Sequence, residues 1–397
     1  MDERLAFYAL PGDFGLAQSP CFRSGRVYGQ DVSSGAAVAA LLSDRYDATK
    51  EVAAALTAPE TGVTLTSCEE FRVLDMCCSP GLKLCAIADW LSTAAIDKNR
   101  SSVWQSSTVV AVDISESRTA LCKRIVAKYQ LDPSTCGDAI DATSKSPVQD
   151  DSGTRIRLYC NDGTTFGQHE EALNLIFDST ASAEEFRFQG KRKRMNKSAR
   201  GRERKRLKQL AQVDQIPEKE MPTSKVAIQL FDRVLVDAEC STDGSLKHVQ
   251  QRLLKKESKM QKDESPSNPQ LIPQLTDDQQ LADLVRLQQR LAASGFRLLK
   301  PGGYMIYSTC SLSEEQNEGV VSWLLKHHLD ARIVPLSFTS NIPDNSDLVK
   351  EGTLPGTVRF LPNTDIHPEN MSLLPSVDTR RLFGGGFFLA KIEKTAA

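Results

Sequence analysis

The stretch FRVLDMCCSPGLK, residues 71–83, decides the fold because it reads as a buried strand, a tight turn and the start of a helix. The segment from Phe71 to Cys77 is mostly apolar and is the predicted first strand. The turn signal Pro80-Gly81 follows it. A helical segment then extends from Leu82 to about Ala95. From here strands and helices alternate along the chain, a pattern typical of a parallel α/β sheet.

The alternation continues over most of the sequence. Strands are predicted at 109–113, 155–162, 231–237 and 304–309, and helices at 116–129, 277–299 and 314–328. Segment 386–393 predicts a late strand, antiparallel to an earlier one. Upstream, VSSGAAVAALL (32–42) predicts a capped helix, with Ser33 or Ser34 near the N-cap. We expect a small, partly helical N-terminal region, residues 1–66, that packs on a catalytic domain spanning 67–397.

Composition narrows the class of protein. The chain has 397 residues, 40% of them hydrophobic, and a net charge of −2. It contains no apolar run of the roughly 18 residues that a membrane helix needs, and its start lacks a signal core. We therefore expect an intracellular protein without a membrane partner. Its ten cysteines indicate reduced thiols, and because no paired C-x-x-C spacing occurs, we expect no metal site.

Two polar insertions interrupt the α/β pattern, at about 179–225 and 252–276. The first contains a basic run, residues 191–208, with 11 Lys or Arg and one acid. Such a run indicates contact with the phosphates of RNA, import into the nucleus or nucleolus, or a solvated insertion. A cytoplasmic protein is the alternative location.

Acidic and polar residues follow the predicted strands. The turn DMCCSPGLK (75–83) joins the first strand to its helix, and Asp113 and Asp162 end the next two strands. Exposed N–H groups at such a turn and acids at strand ends suit a nucleotide-like ligand. The sequence has neither G-x-G-x-x-G nor G-x-x-x-x-G-K-[ST], which favours S-adenosylmethionine (SAM) over NAD or ATP. Alternatively, each acid caps the following helix.

Two cysteines follow later strands. Cys240 lies in DAECS (237–241), and Cys310 lies in YSTCSL (307–312). A single cysteine is often a small buried hydrophobe, but both of these segments are polar. Because carboxyl ends of parallel strands share one edge of a sheet, two thiols and Asp237 are expected to form a nucleophilic site there.

These motifs together resemble the Nop/Sun-type (RsmB/Nop-type) RNA cytosine-5 methyltransferases. That family carries D-x-C-x-x-P-G-x-K, then D-x-P-C-S, then Y-S-T-C-S followed by E-x-x-E/N, and residues 75–83, 237–241 and 307–317 match in that order. YGQDVSS (28–34) is similar to the family's Q-D-x-S-S helix start, and GFFLAK (386–391) also fits. The resemblance covers about residues 25–394 outside the insertions.

The resemblance implies a Rossmann-like, SAM-dependent methyltransferase fold, with a mostly parallel seven-stranded sheet and helices on both faces. It implies that Cys310 attacks C6 of cytosine and that Cys240 assists release of the product. Asp237 then contacts the N3/N4 edge of the base, and Lys83 positions it. The implied cofactor-binding residues are Cys77, Cys78, Ser79, Pro80, Gly81, Leu82, Lys83, Asp113, Asp162 and Asp237.

The chain departs from the family pattern at three places. Glu239 stands where the family has proline, Leu82 replaces a glycine, and Thr242-Asp243 replaces a Gly-Thr pair. These departures motivate the alternative of a non-catalytic RNA-binding or assembly factor on a methyltransferase scaffold. A DNA cytosine methyltransferase is disfavoured, because its nucleophile follows a proline after the fourth strand. We expect a monomeric enzyme acting on transfer RNA, ahead of ribosomal RNA.

Overall fold

The fold is described from a computed structural model of the chain. The described residues are 15–42, 70–96, 107–130, 154–168, 173–181, 229–245, 278–336, 349–361 and 385–395. The chain divides into two units, residues 1–179 with 230–397, and residues 180–229. Almost all of the second unit, both insertion cores and the basic run 191–208 lie outside the described residues.

Ten strands in the described part of the chain form one sheet. They are β1 (Phe71–Asp75), β2 (Ser107–Asp113), β3 (Arg155–Cys160), β4 (Leu175–Asp178), β5 (Phe231–Asp237), β6 (Leu299–Thr309), β7 (Ala331–Ile333), β8 (Val349–Glu351), β9 (Val358–Phe360) and β10 (Phe387–Lys394). Their order across the sheet is β4-β3-β2-β1-β5-β6-β10-β9-β8, and β7 pairs with β10.

Five adjacent strands, β3-β2-β1-β5-β6, are parallel and form the centre of the sheet. The central residues of these strands are mainly apolar and buried, among them Val73, Val110, Leu158, Val234 and Ile306, as expected for a sheet covered on both faces. The remaining pairings are antiparallel. In particular, β10 pairs with β6 over Phe388–Glu393, so the prediction of a late antiparallel strand is confirmed.

Six helices lie in the described residues. They are α1 (Pro20–Arg23), α2 (Val32–Leu42), α3 (Leu82–Ile96), α4 (Glu116–Gln130), α5 (Asp278–Leu298) and α6 (Glu318–His327). Helix α2 packs on α3 and on strands β5, β6 and β10. Its first turn is capped by Asp31, whose Oδ1 accepts from the backbone N–H of Ser33 at 3.1 Å. Ser33 therefore lies near the N-cap, as predicted, and the cap itself is Asp31, two residues before it.

Helices cover both faces of the sheet, as strand β5 shows. Arg233 Nε donates to the Leu41 carbonyl oxygen of α2 at 3.1 Å, whereas Val236 faces Gly295 of α5. Residues 233 and 236 are three apart in a strand and so point to opposite faces. The chain therefore has a Rossmann-like α/β fold, in which a sheet with a parallel centre is covered by helices on both faces.

Two predictions about the elements need correction. The sheet has ten strands in the described residues instead of seven. Four of the ten (β4, β7, β8 and β9) are only three or four residues long. The helix predicted from residue 314 begins at Glu318. Residues 314–317 form a turn, in which the backbone N–H of Asn317 donates to the Glu314 carbonyl oxygen.

Within the described residues, no helix combines the length and apolar character needed to cross a bilayer.

Candidate active site

The strand-end acids form a regular series along the carboxyl edge of the parallel sheet. Asp75 pairs in register with Ala111 of β2, so Asp113 lies two residues further along. Asp113 pairs with Cys160 of β3, and Asp162 lies two residues beyond Cys160. On the other side, Asp75 pairs with Leu235 of β5, two residues before Asp237. Because side chains alternate with period two, Asp75, Asp113 and Asp237 point to the same face of the sheet.

The turn between β1 and α3 approaches its neighbours closely. The backbone N–H of Cys78 donates to the Val112 carbonyl oxygen at 3.1 Å, which anchors the turn to β2. Gly81 has a φ of 110°, and a Cβ there would lie 2.8 Å from the Cys122 sulfur. Only glycine fits this position without displacing α4.

Asp237 forms an ion pair with Lys83, which lies in the first turn of α3. Lys83 Nζ donates to Asp237 Oδ2 at 2.8 Å, and Ser308 Oγ donates to Asp237 Oδ1, also at 2.8 Å. Burial opposes the charge on Lys83, but the neighbouring Asp237 carboxylate outweighs it and raises the pKa of the lysine. Lys83 is therefore a fixed cation beside the strand-end acids.

The two cysteines predicted from sequence are in contact. Cys240 Sγ and Cys310 Sγ lie 3.2 Å apart, and Cys240 is 8% exposed. A hydrogen bond between the sulfurs lowers the pKa of Cys240 and raises that of Cys310. Backbone N–H groups of Thr242 and Cys310 further favour the Cys240 thiolate. Of the two thiols, Cys240 therefore ionises more readily.

Asp75 ends strand β1, next to strand β5, which ends at Asp237. It is 1% exposed, and neither carboxylate oxygen has a hydrogen-bond partner among the described residues. The Cys77 N–H lies close enough to favour the charged form slightly, without hydrogen-bond geometry. Burial, followed by repulsion from Asp237, raises the pKa of Asp75 to about 7. A buried carboxyl group without hydrogen bonds favours its neutral form in this way.

Asp113 and Asp162 each also accept a hydrogen bond from the backbone N–H two residues further along the chain. Asp113 Oδ1 accepts from the Ser115 backbone N–H at 2.8 Å, and Arg118 Nε lies 3.5 Å from Asp113 Oδ2. Asp162 Oδ1 accepts from the backbone N–H of Thr164 at 2.9 Å. Neither acid caps a helix: α4 begins at Glu116 and is capped by Ser115, whose Oγ accepts from the Arg118 N–H, and a turn follows Asp162. The alternative that each acid caps the following helix is therefore wrong, and both acids lie at the sheet edge.

A buried polar network lies behind the two thiols. Gln316 Oε1 accepts from the Ser241 backbone N–H at 3.0 Å, and Gln316 Nε2 donates to Ser241 Oγ at 2.9 Å. Ser241 Oγ lies 3.0 Å from Ser311 Oγ. Gln288 Nε2 donates to the Glu239 carbonyl oxygen at 2.8 Å and to Gln316 Oε1 at 3.2 Å.

No group of three or more His, Cys, Asp or Glu in the described part of the chain has an arrangement that would hold a metal ion.

Part of the chain matches the sequence model of a known family. Residues 267–371 match the sequence model of the family described as 16S rRNA methyltransferase RsmB/F. This segment contains Cys310 and its YSTCSL motif, and the chain also carries the DAECS and DMCCSPGLK motifs in family order. Over this segment the chain is similar to the RsmB/F-type methyltransferases. Cys240, Asp237 and Lys83 lie upstream of the matched segment.

Two curated bacterial proteins match this chain over 174 residues each. Ribosomal RNA small subunit methyltransferase F from Escherichia coli strain K12 is 29% identical over 174 residues, 43% of this chain and 27% of the relative. The protein of the same name from Shigella boydii serotype 18 matches equally. The match thus spans about a quarter of the length of these curated relatives.

Two solved structures from Pyrococcus horikoshii are also similar. One is NSun6 with SFG, with 16% identity, a TM-score of 0.47, and coverage of 98% of this chain and 57% of the other. The second is a methyltransferase homolog protein, with 17% identity, a TM-score of 0.46, and coverage of 96% and 72%.

Sequence reasoning missed four residues of the site. Asp75, Ser308, Gln288 and Gln316 contribute to it, although none was singled out for a role. Gln288 carried a detectable signal, because it lies in register with Leu284 and Leu291 on the apolar side of a predicted helix, where a polar side chain needs a partner. Gln316 lies in a segment that was predicted as helix, which concealed its inward direction.

Proposed function

We propose that this protein is an RNA cytosine-5 methyltransferase that uses SAM and forms a covalent bond between Cys310 and C6 of cytosine. The observation that carries the proposal is the 3.2 Å contact between Cys240 Sγ and Cys310 Sγ, next to the Lys83–Asp237 ion pair. Two thiols in contact beside a fixed cation suit nucleophilic addition followed by elimination.

The residues along the sheet edge fit the proposed cofactor chemically. Carboxylates of Asp113 and Asp162 are acceptors suited to ribose hydroxyls and to the adenine amine. Turn 77–83 supplies backbone N–H groups at the N-terminus of α3, which suit a carboxylate. When bound, SAM supplies an electrophilic methyl group. Asp237, between this edge and the thiols, is assigned to the N3/N4 edge of the base.

Cytosine C5 needs activation before it accepts a methyl group. Addition of the Cys310 sulfur at C6 breaks the C5–C6 double bond and places the electron pair on C5. Asp237 and Lys83 stabilise the charge that develops on the ring. C5 takes the methyl group and then loses its proton to water. Elimination of the Cys310 sulfur restores the double bond.

Cys240 handles the proton of Cys310 in this scheme. As Cys310 adds to C6, its proton passes over 3.2 Å to the more easily ionised Cys240 sulfur. During elimination Cys240 returns the proton to the departing sulfur as a general acid. Cys240 is therefore needed for release of the product.

The target cytosine must leave its base stack to reach two partly buried sulfurs. We expect it in a loop, a bulge or locally opened RNA. Transfer RNA and ribosomal RNA are the candidate substrates, with transfer RNA the expectation from sequence. The names of the bacterial relatives refer to ribosomal RNA of the small subunit, which supports the second candidate.

Substitution of each cysteine tests the mechanism. Cys310→Ala should abolish transfer of labelled methyl groups from SAM to RNA. Cys240→Ala should instead accumulate a covalent RNA adduct, seen as a shifted band on a denaturing gel. The reason is that Cys240→Ala leaves elimination of the Cys310 sulfur without its general acid.

The exposed Cys21 provides the matched control, because Cys21→Ala should retain both activity and turnover. Full activity of Cys310→Ala would refute the nucleophile assignment. Stoichiometric RNA binding without any methyl transfer by the unmodified protein would favour the non-catalytic alternative. Bisulfite sequencing of total RNA, with and without the gene, identifies the substrate.

A further inference from the structure

We propose that Gln288 is a positioning residue that holds the Cys240 loop against the Cys310 loop, so that the two sulfurs stay in contact. Gln288 lies on α5, outside every motif that carries the family resemblance. It is 0% exposed, and its amide is directed at the backbone next to Cys240. Among the described residues, its hydrogen bonds go to Glu239 and Gln316 and not to either sulfur. Gln288 therefore acts through these two residues.

The amide nitrogen of Gln288 joins two loops. Nε2 donates to the carbonyl oxygen of Glu239, the residue before Cys240, at 2.8 Å. The same nitrogen donates to Gln316 Oε1 at 3.2 Å, and Gln316 follows Cys310 in the chain. Because two acceptors face Nε2, the orientation of the amide is fixed by its partners.

Gln316 completes the clamp on the other side of Cys240. Its amide binds both the N–H and the hydroxyl of Ser241, the residue after Cys240. Ser241 in turn contacts Ser311, the residue after Cys310. Residues on both sides of Cys240 are thus tied to the segment that carries Cys310, and Gln288 is the link on the 239 side.

The clamp compensates for a departure from the family pattern. Proline before the second cysteine would fix the backbone there by its ring, whereas Glu239 leaves that backbone free to rotate. The hydrogen bond from Gln288 to the Glu239 carbonyl oxygen restrains the same backbone from outside. A fully buried donor is costly to remove, since the Glu239 carbonyl oxygen loses this hydrogen bond and Gln316 Oε1 keeps only the one from the Ser241 N–H.

The inference rests on the proposed function for the meaning of the thiol pair, but its first measurement needs no RNA or SAM. In that measurement, the free protein is treated with diamide, which takes one hydrogen from each of two thiols and is reduced to a hydrazine while a disulfide forms. Peptide mapping follows the Cys240–Cys310 bond with time. Gln288→Met, which keeps the side-chain volume but has no N–H, should form this bond about tenfold more slowly.

Two controls separate positioning from general loosening. Gln279→Met changes an exposed glutamine of the same helix, bonded to Asp283, and should behave like the unmodified protein. Cys78 and Cys122, 3.8 Å apart between the β1 turn and α4, form an internal reference pair. Their cross-linking rate should be the same in Gln288→Met, whereas a merely destabilised protein would change both rates.

An unchanged Cys240–Cys310 rate in Gln288→Met would overturn the inference, as would failure of the unmodified pair to cross-link. If Gln288→Met does not fold, Ser311→Ala removes the far link of the same clamp and should slow the same bond. Normal cross-linking in Ser311→Ala would then overturn the inference. With RNA and SAM, Gln288→Met should also accumulate covalent adduct. Slowed cross-linking without any adduct would reject the proposed function and retain the positioning role.

Discussion

The charged form of Asp75 is electrostatically unfavourable in the folded protein. Its carboxyl group is buried without hydrogen bonds and lies near the Asp237 carboxylate, so burial and repulsion both favour its protonated form. The pKa of about 7 in the folded protein compares with 3.8 for an exposed aspartate. The folded protein therefore holds this proton more tightly than the unfolded chain does.

This difference predicts how Asp75→Asn changes stability with pH. The stability that neutral Asp75 contributes is complete below about pH 4 and is lost as the pH rises to about 7. The loss is on the order of 4 kcal/mol. Asp75→Asn should therefore raise the Tm relative to the unmodified protein, and by more at pH 8 than at pH 5, measured by thermal unfolding across that range.

Asp283 supplies the matched control, since its carboxylate is exposed on α5. Asp283→Asn should change the Tm by a similar small amount at both pH values. A pH-independent effect of Asp75→Asn would show that Asp75 ionises normally in the folded protein.

At the scale of elements, the loop after β5 contains a strained residue. Thr242 has a φ of 55°, in the left-handed region that β-branched residues rarely adopt. The family has glycine at this position. The strained backbone directs an N–H toward the Cys240 sulfur, where it lowers the pKa of that thiol. The loop therefore keeps the conformation that glycine would favour, at a cost of roughly 1–3 kcal/mol.

Relief of this strain is testable by substitution. Thr242→Gly and Thr242→Asn should each raise the free energy of unfolding by about 1 kcal/mol, because both residues tolerate a positive φ. Thr242→Ala retains a Cβ and should gain much less. Denaturant unfolding measures the series, and an equal gain in Thr242→Ala would assign the effect to side-chain contacts instead of the backbone.

The same elements show what sequence can predict here. The central strands and long helices were predicted within a few residues, because buried parallel strands are continuous apolar runs. Cys240, Cys310 and Asp237 could be placed together because they follow neighbouring strands. The partners of those residues could not, since Gln288 and Ser241 are 47 residues apart in the chain and meet through Gln316. Short strands such as β8 depend on pairing with β9 and lack a pattern of their own.

For the molecule as a whole, β10 is the strand that joins the parallel sheet to its antiparallel extension. It pairs with β6 on one side. Along its other side, β9 pairs with Phe387–Leu389 and β7 with Ile392–Lys394. Phe388 of β10 is 0% exposed, and its ring centroid lies 6.3 Å from that of Tyr307. The strand thus supports β6 directly behind the Cys310 loop.

Phe388→Ala should therefore lower the free energy of unfolding by about 3–5 kcal/mol. The expected fall in Tm is on the order of 10 °C. Leu329, which is 96% exposed, provides the comparison, and Leu329→Ala should change stability by no more than about 0.5 kcal/mol. Similar Tm values for the two variants would contradict the role of β10 as a central strand.

The position of β10 also affects how the protein is made. It follows all the other described strands in the chain, yet it lies next to β6, which leads to Cys310. During translation β6 therefore presents an open edge of unpaired backbone groups until residues 387–394 emerge from the ribosome. Such an edge is prone to pairing with other chains. Nascent protein halted before residue 387 should consequently depend on chaperones, whereas a chain that includes residues 387–394 closes this edge itself.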